Sequence, residues 1–313
     1  MHPFPRRSIL RRPIFAGGLL LAASLLAAAA SAQTSGEGLS PTLANIKKSH
    51  TVRLGYRESS LPFSFLDHSN RPIGYSLELC EAIVEEIGVE VDDANLRIEH
   101  VKVTSDDRIP AVTQNKIDLE CGSTTANAER AKLVAFSPLM FVAGTKLMVP
   151  KASTISAPAD LKGKTVVVTK GTTNEQAMHN IDKKFSLGLN ILTSPDHEQS
   201  YQTLVDGKAD AFATDDILLY GLIAQHKARD KFKVTGEYLS YDPYGIMFRK
   251  GEPQLTAVVE RAFRKLGSNR DLIPLYNKWF VGRLPTGEKL GVSISPQLEE
   301  AFKAMDDSPG GSN

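Results

Sequence analysis

Two stretches, Cys121-Gly-Ser-Thr-Thr-Ala-Asn-Ala-Glu-Arg130 and Lys170-Gly-Thr-Thr-Asn-Glu175, follow strand-like segments with hydroxyls, a glycine and charged residues. Free backbone N–H groups and hydroxyls at a helix start bind small anions. In the first stretch Ser123, Thr125 and Arg130 would lie within the first turns of a helix, where a guanidinium fork matches one carboxylate. In the second, Thr172 and Glu175 fit a capping box, which alone accounts for them. Gly171 and Thr173 equally suit a backbone approaching a ligand, and both readings stand. Arg57-Glu-Ser-Ser60 and Thr104-Ser-Asp-Asp-Arg108 repeat the pattern, with Ser105 beside Arg108. Each cluster alone is an ordinary surface feature. Together they decorate several strand ends, where ligands of open α/β sheets sit. Asp215-Asp216 opens a helix, where an acid caps the dipole or counters a ligand ammonium.

Enzyme signatures fail. Gly163-Lys-Thr165 imitates the end of a phosphate loop, but Pro158 stands where the leading glycine belongs. There is no G-x-S-x-G, G-x-G-x-x-G or H-E-x-x-H, and His and Cys lack metal-ligand spacing. No catalytic residue, metal or cofactor is expected.

The elements that must position these clusters alternate. Strands are expected at Val52–Tyr56, Leu96–Val103, Ile117–Glu120, Gly144–Val149, Thr165–Thr169, Asn190–Thr193, Asp210–Thr214 and Tyr244–Lys250. Helices are expected over Gly74–Ile87, from about Arg108, and over Asn174–Phe185, His197–Val205 and Asp215–His226. Leu77, Cys80, Ile83, Val84 and Ile87 form one helical stripe, as do Leu255, Val258, Val259, Ala262, Phe263 and Leu266. A last helix carries Leu298, Ala301, Phe302 and Met305. The βα alternation favours a mainly parallel sheet with helices on both faces.

Residues 1–32 read as an export signal: Arg6, Arg7, Arg11 and Arg12, an uncharged run from Ile14 to Ala30, then Ala30-Ser-Ala32. Cleavage near Ala32 places the mature protein in the periplasm. Arg6-Arg7 loosely resembles a twin-arginine signal. Removing residues 1–32 takes four of the 37 Lys+Arg and none of the 36 Asp+Glu, leaving a charge near −3. That balance argues against nucleic acid as a partner. The two cysteines, Cys80 and Cys121, suit either a disulfide in an oxidising compartment or two buried thiols.

Gly55-Tyr-Arg-Glu-Ser-Ser-Leu-Pro-Phe-Ser64, Gly74-Tyr-Ser76, Thr104-Ser-x-x-Arg-Ile-Pro110, Glu120-Cys-Gly-Ser-Thr-Thr125 and Gly171-Thr-Thr173 resemble the periplasmic glutamate/aspartate-binding proteins. Asp160-Leu-Lys-Gly-Lys164 and Lys278-Trp-Phe280 are shared more widely among polar amino-acid-binding proteins. The resemblance covers most of residues 45–305. It implies an α/β two-lobed periplasmic-binding-protein fold of type II, each lobe a mixed, mainly parallel sheet flanked by helices. Lobe one would comprise residues 45–143 plus 241–305 and lobe two residues 144–240, with 306–313 a flexible tail. Hinge crossings would lie near Ala143-Gly144 and Ser240 to Tyr244.

The resemblance also implies a monomer that delivers L-glutamate or L-aspartate to the membrane permease subunits of an ABC importer. It assigns the ligand α-carboxylate to Arg130, Thr125 and the Thr172/Thr173 loop. The side-chain carboxylate goes to Arg57, Ser105, Arg108 and His197, and the ammonium to Asp215 with Ser123. His197 is either a pH sensor there or a neutral donor. Family members carry a second cysteine in the returning Tyr-Gly-x-Met strand; here Ile246 takes that place, which would make Cys80 the candidate substitute partner for Cys121.

Three arginines and Asp215 sum to a site near +2, which suits two carboxylates and one ammonium. A neutral side chain would leave the Arg57/Arg108 end without its anion, so glutamine should bind at least about tenfold more weakly. The alternatives are a binding protein for another polar amino acid such as glutamine, and a periplasmic dehydratase on the same fold. The dehydratase would need a general acid aimed at a leaving group. A receptor sensor domain would need a membrane segment after residue 305.

Overall fold

The computed structural model describes residues 38–306. The export segment 1–32 and the tail beyond Asp306 lie outside the described residues; Asp306 itself still belongs to the last helix, Pro296–Asp306.

Two five-stranded mixed sheets organise the chain. In the first, Thr51–Tyr56 pairs in parallel with Arg97–Lys102 on one side and Leu119–Glu120 on the other. Met247–Arg249 then runs antiparallel between Leu119–Glu120 and Val134–Phe136. The second sheet repeats the plan. Thr165–Thr169 pairs in parallel with Asn190–Ser194 and Ala211–Asp215, and Thr145–Pro150 lies antiparallel between Ala211–Asp215 and Phe232–Thr235. The Val166-Val-Val168 run is fully buried, as a strand covered on both faces requires.

On the first sheet, helix Tyr75–Val91 buries Leu77, Cys80, Ile83, Val84 and Ile87, the stripe read from periodicity. It packs on helix Pro253–Ser268 through Leu255, Val258, Val259, Ala262 and Phe263. Each large aliphatic so buried contributes about 1.5–3 kcal/mol. Cys80 of this helix is joined by a disulfide to Cys121, with Cα atoms 6.2 Å apart, so the helix is stapled to the end of the Leu119–Glu120 strand.

The chain passes between the sheets twice. Phe141–Ala143 and Asp242–Tyr244 form an antiparallel pair at these crossings, with Asp242 opposite Ala143. Gly144 lies so close to the Ser240 carbonyl that a β-carbon would collide with it.

Three local readings change. The stretch Tyr244–Lys250 is not one strand: Tyr244 pairs with Phe141 in the crossing, whereas Met247 enters the first sheet opposite Glu120 and Phe136. The break at Gly245-Ile246 exists because its two halves belong to different sheets. The segment after Glu120 opens no helix. Ala126 N donates to Pro243 O at 2.7 Å and Gly245 N to Thr124 O at 3.2 Å, so backbone groups that a helix would use internally are bonded to the returning crossing. Arg130 instead begins a short 3-10 turn, Arg130–Lys132. Finally, periodicity did not reveal helix Pro41–Ser49, whose nine residues bury only Thr42, Leu43 and Ile46.

Candidate functional site

The parallel strands of the two sheets aim their carboxyl ends at one another. From the first sheet, Arg57 directly follows Thr51–Tyr56, Ser105 and Arg108 follow Arg97–Lys102, and Ser123 and Thr125 follow Leu119–Glu120. From the second, Thr172 and Thr173 follow Thr165–Thr169, His197 follows Asn190–Ser194, and Asp215 ends its strand. This is where an open α/β sheet places a ligand.

Eight of the ten sequence-selected residues line one narrow space of about 10 Å3: Ser105, Arg108, Ser123 and Thr125 from one side, Thr172, Thr173, His197 and Asp215 from the other. Asn174 and Leu218 complete its wall. Arg130 stands at its edge, donating to Thr125 O at 2.9 Å and to Gly171 O at 3.4 Å. It also lines an adjoining open cleft of about 650 Å3. Arg57, 1% exposed, lies behind, close enough to Arg108 for that charge to depress it and close enough to His197 to depress the imidazole in turn.

The cations are buried and under-satisfied. Nη1 and Nη2 of Arg57 and Nε of Arg108 have no hydrogen-bond partner, and neither do the buried hydroxyls of Ser60, Ser105 and Ser123. Buried polar atoms are ordinarily paired, so such a concentration marks a site built for something else to complete. Burial first, then Arg108, lowers Arg57 to about 10 and Arg130 to about 9. Both remain cations at neutral pH. Burial and the Arg57 and Arg108 charges hold His197 well below its ordinary range. Its Nδ1 lies 2.8 Å from Thr169 Oγ1.

The acids are more numerous than expected. Asp215 accepts from Asn174 Nδ2 at 2.8 Å and from the Tyr244 hydroxyl; burial and then Asp242 push its carboxyl up to about 7. Asp242 accepts from the hydroxyls of Thr125 at 3.0 Å and Thr173 at 2.8 Å. Glu120, fully buried, acts on all three arginines. The expected +2 therefore becomes three guanidiniums facing three carboxylates, because Glu120 and Asp242 join the cluster only through the fold. No motif contained Asp242; Asn174 and Glu120 were legible as parts of motifs but not as groups of the site.

The Thr172/Thr173 loop divides its labour. Thr172 caps helix Thr173–Phe185, accepting from Glu175 N at 3.1 Å, and donates to Thr169 O at 2.7 Å. Glu175 reaches back to Gly171 N at 2.8 Å, one residue before the cap. Gly171 has φ +75°, and a β-carbon there would stand 2.7 Å from Asp106 Cα. The loop of the second sheet thus rests on the backbone of the first.

Comparison with known proteins agrees with this architecture. Residues 52–282 match the family described as bacterial extracellular solute-binding proteins, family 3. The chain is 39% identical over 293 residues, 93% of its own length and 95% of the other's, to the L-glutamate/L-aspartate-binding protein of Pseudomonas aeruginosa. It is 35% identical over 299 residues, 95% and 98% of the two lengths, to the glutamate/aspartate import solute-binding protein of Escherichia coli. Among solved structures, an ancestral arginine-binding protein bound to arginine superposes with a TM-score of 0.67 at 31% identity, covering 74% of this chain and 98% of that one. Two mixed sheets with facing strand ends, a double crossing and a match across most of the chain lead to one conclusion: this protein is a member of family 3 of the bacterial extracellular solute-binding proteins, with their two-lobed type II fold.

Proposed function

We propose that the protein captures L-glutamate or L-aspartate between its lobes and delivers it to the permease subunits of an ABC importer. The observation that carries this reading is the pair Arg57 and Arg108, buried with unpartnered guanidinium nitrogens beside the orphaned Ser105 and Ser123 hydroxyls. A side-chain carboxylate satisfies them; a neutral amide supplies no charge. The ligand ammonium goes to Asp215 with Ser123. The α-carboxylate goes to Arg130, Thr125, and the Thr172/Thr173 loop. Because the Thr172 hydroxyl is engaged in the helix cap, its share is the N–H groups that a helix start leaves free. The names of the Pseudomonas and Escherichia relatives support the same ligand class.

Lobe one then comprises residues 45–143 plus 241–305, beginning within helix Pro41–Ser49, and lobe two residues 144–240. A space of about 10 Å3 holds about one water, so an amino acid is admitted by parting the lobes about the paired crossings. Residues 1–32 direct export to the periplasm with cleavage near Ala32, and the mature protein acts as a monomer without catalysis. Prephenate-like acids are accordingly expected to be recovered unchanged.

Calorimetric titration of mature protein, unfolded and refolded to strip carried-over ligand, tests the reading. Tight one-to-one binding of L-glutamate or L-aspartate is expected, with L-glutamine at least about tenfold weaker. Equal affinity for glutamate and glutamine would remove the dicarboxylate assignment.

A further inference from the structure

Glu120 ends its strand fully buried among the arginines. Its Oε2 accepts from the Thr124 hydroxyl at 2.6 Å, while Oε1 is buried without a partner. A β-carbon on Gly122 would collide with both Glu120 Oε1 and Arg57 Cγ, so the two side chains flank the same glycine. Glu120 is the strongest acidic influence on Arg57 and on Arg108; Asp196 and Asp107 act on Arg57 less, as Asp215 and Asp107 do on Arg108. Two guanidiniums and one carboxylate leave this end of the cleft with a single uncompensated positive charge. A ligand head group with one negative charge closes the balance. A second negative charge would be buried with no counter-charge, which is costly.

We propose that Glu120 determines specificity by restricting the Arg57–Arg108 end to head groups of single negative charge, so that carboxylates are admitted and dianions such as phosphate esters are refused. The proposal rests on the acidic-amino-acid reading above. It predicts that neutralising Glu120 changes which head group is preferred rather than merely weakening binding.

L-Serine O-sulfate and O-phospho-L-serine form a matched pair of probes. Both carry tetrahedral heads on the same backbone, but the phosphate gains its second charge near pH 6. At pH 8 the wild-type protein should bind the sulfate ester at least about tenfold more tightly than the phosphate ester. Glu120→Gln keeps an acceptor for the Thr124 hydroxyl and should shrink that ratio at least about tenfold. A purely structural role would weaken both esters and L-glutamate alike and leave the ratio unchanged. A Glu120→Gln protein that binds L-glutamate with an unaltered ester ratio, or that binds neither ester, overturns the proposal. If the variant does not fold, the wild-type protein decides: from pH 8 to pH 5 the phosphate ester should gain on the sulfate ester, and a constant ratio overturns the proposal. Wild-type protein that binds neither L-glutamate nor L-aspartate would instead overturn the acidic-amino-acid reading.

Discussion

The Thr173 hydroxyl donates to Asp242 Oδ1 at 2.8 Å, joining the first residue of a helix on the second sheet to the strand that returns the chain towards the first sheet. Asp242 also accepts from Thr125 at 3.0 Å and, through Oδ2, from the Ser240 hydroxyl. One buried carboxylate therefore gathers three hydroxyls around the crossings.

Replacing Asp242 by Ala leaves these donors without their acceptor. Each buried unsatisfied group costs about 1–3 kcal/mol. Urea denaturation of unliganded D242A should show at least about 2 kcal/mol less stability than wild type. An unchanged midpoint would mean that the hydroxyls find other partners.

Asp215 sets a pH dependence. Burial and the neighbouring Asp242 raise its carboxyl to about 7, against the hydrogen bonds from Tyr244 and Asn174. Only the ionised form partners an ammonium, so affinity for L-glutamate should fall as pH drops through about 7, and binding near pH 6.5 should release a proton. Calorimetry in buffers of different ionisation enthalpy reads that release. Stability of the unliganded protein runs the other way. A folded pKa above the unfolded value of about 3.9 makes this group's contribution complete below that value and lost as pH rises through 7. Affinity that is flat from pH 5 to 9 would exclude Asp215 from the ammonium role.

Arg57→Ala removes one of two cations that await an anion. The loss of a partner for a desolvated charge is about 2–5 kcal/mol. L-Glutamate should therefore bind at least about thirtyfold more weakly in R57A, with a smaller change for L-glutamine. Equal losses for the two would place Arg57 in the scaffold rather than the site.

Gly171→Ala tests the approach of the lobes. The position combines φ +75° with backbone 2.7 Å from where a β-carbon would stand. Since Asp106 Cα cannot yield as a flexible side chain does, G171A should weaken ligand binding more than it lowers the melting temperature of unliganded protein. Titration alongside thermal melts separates the two effects.

The disulfide gives a stability prediction. Cys80 and Cys121 are 41 residues apart in sequence, and closing such a loop in the unfolded chain is worth about 4 kcal/mol in the chain-entropy account. The double variant C80A/C121A should lose about 2–4 kcal/mol in urea denaturation while retaining L-glutamate binding. Loss of binding in a folded double variant would show that the bridge positions the neighbouring Ser123 and Thr125.

Periodicity and local spacing determined a great deal by themselves. The stripe Leu77 to Ile87, the strand Thr165–Thr169 and the helix His197–Val205 were legible because their signals repeat within a few residues. The ten clustered residues were legible because hydroxyls and arginines stand at strand ends, whose direction follows from βα alternation. Only tertiary structure decided the helix-free path after Glu120, the break at Gly245-Ile246 and the charge of the site. Each depends on a partner distant in sequence: Pro243 for Ala126, Phe141 for Tyr244, and Thr125 and Thr173 for Asp242. Hydrogen bonds and Coulomb forces act through space, so a charge such as Glu120 acquires its meaning only when folding places it beside Arg57 and Arg108.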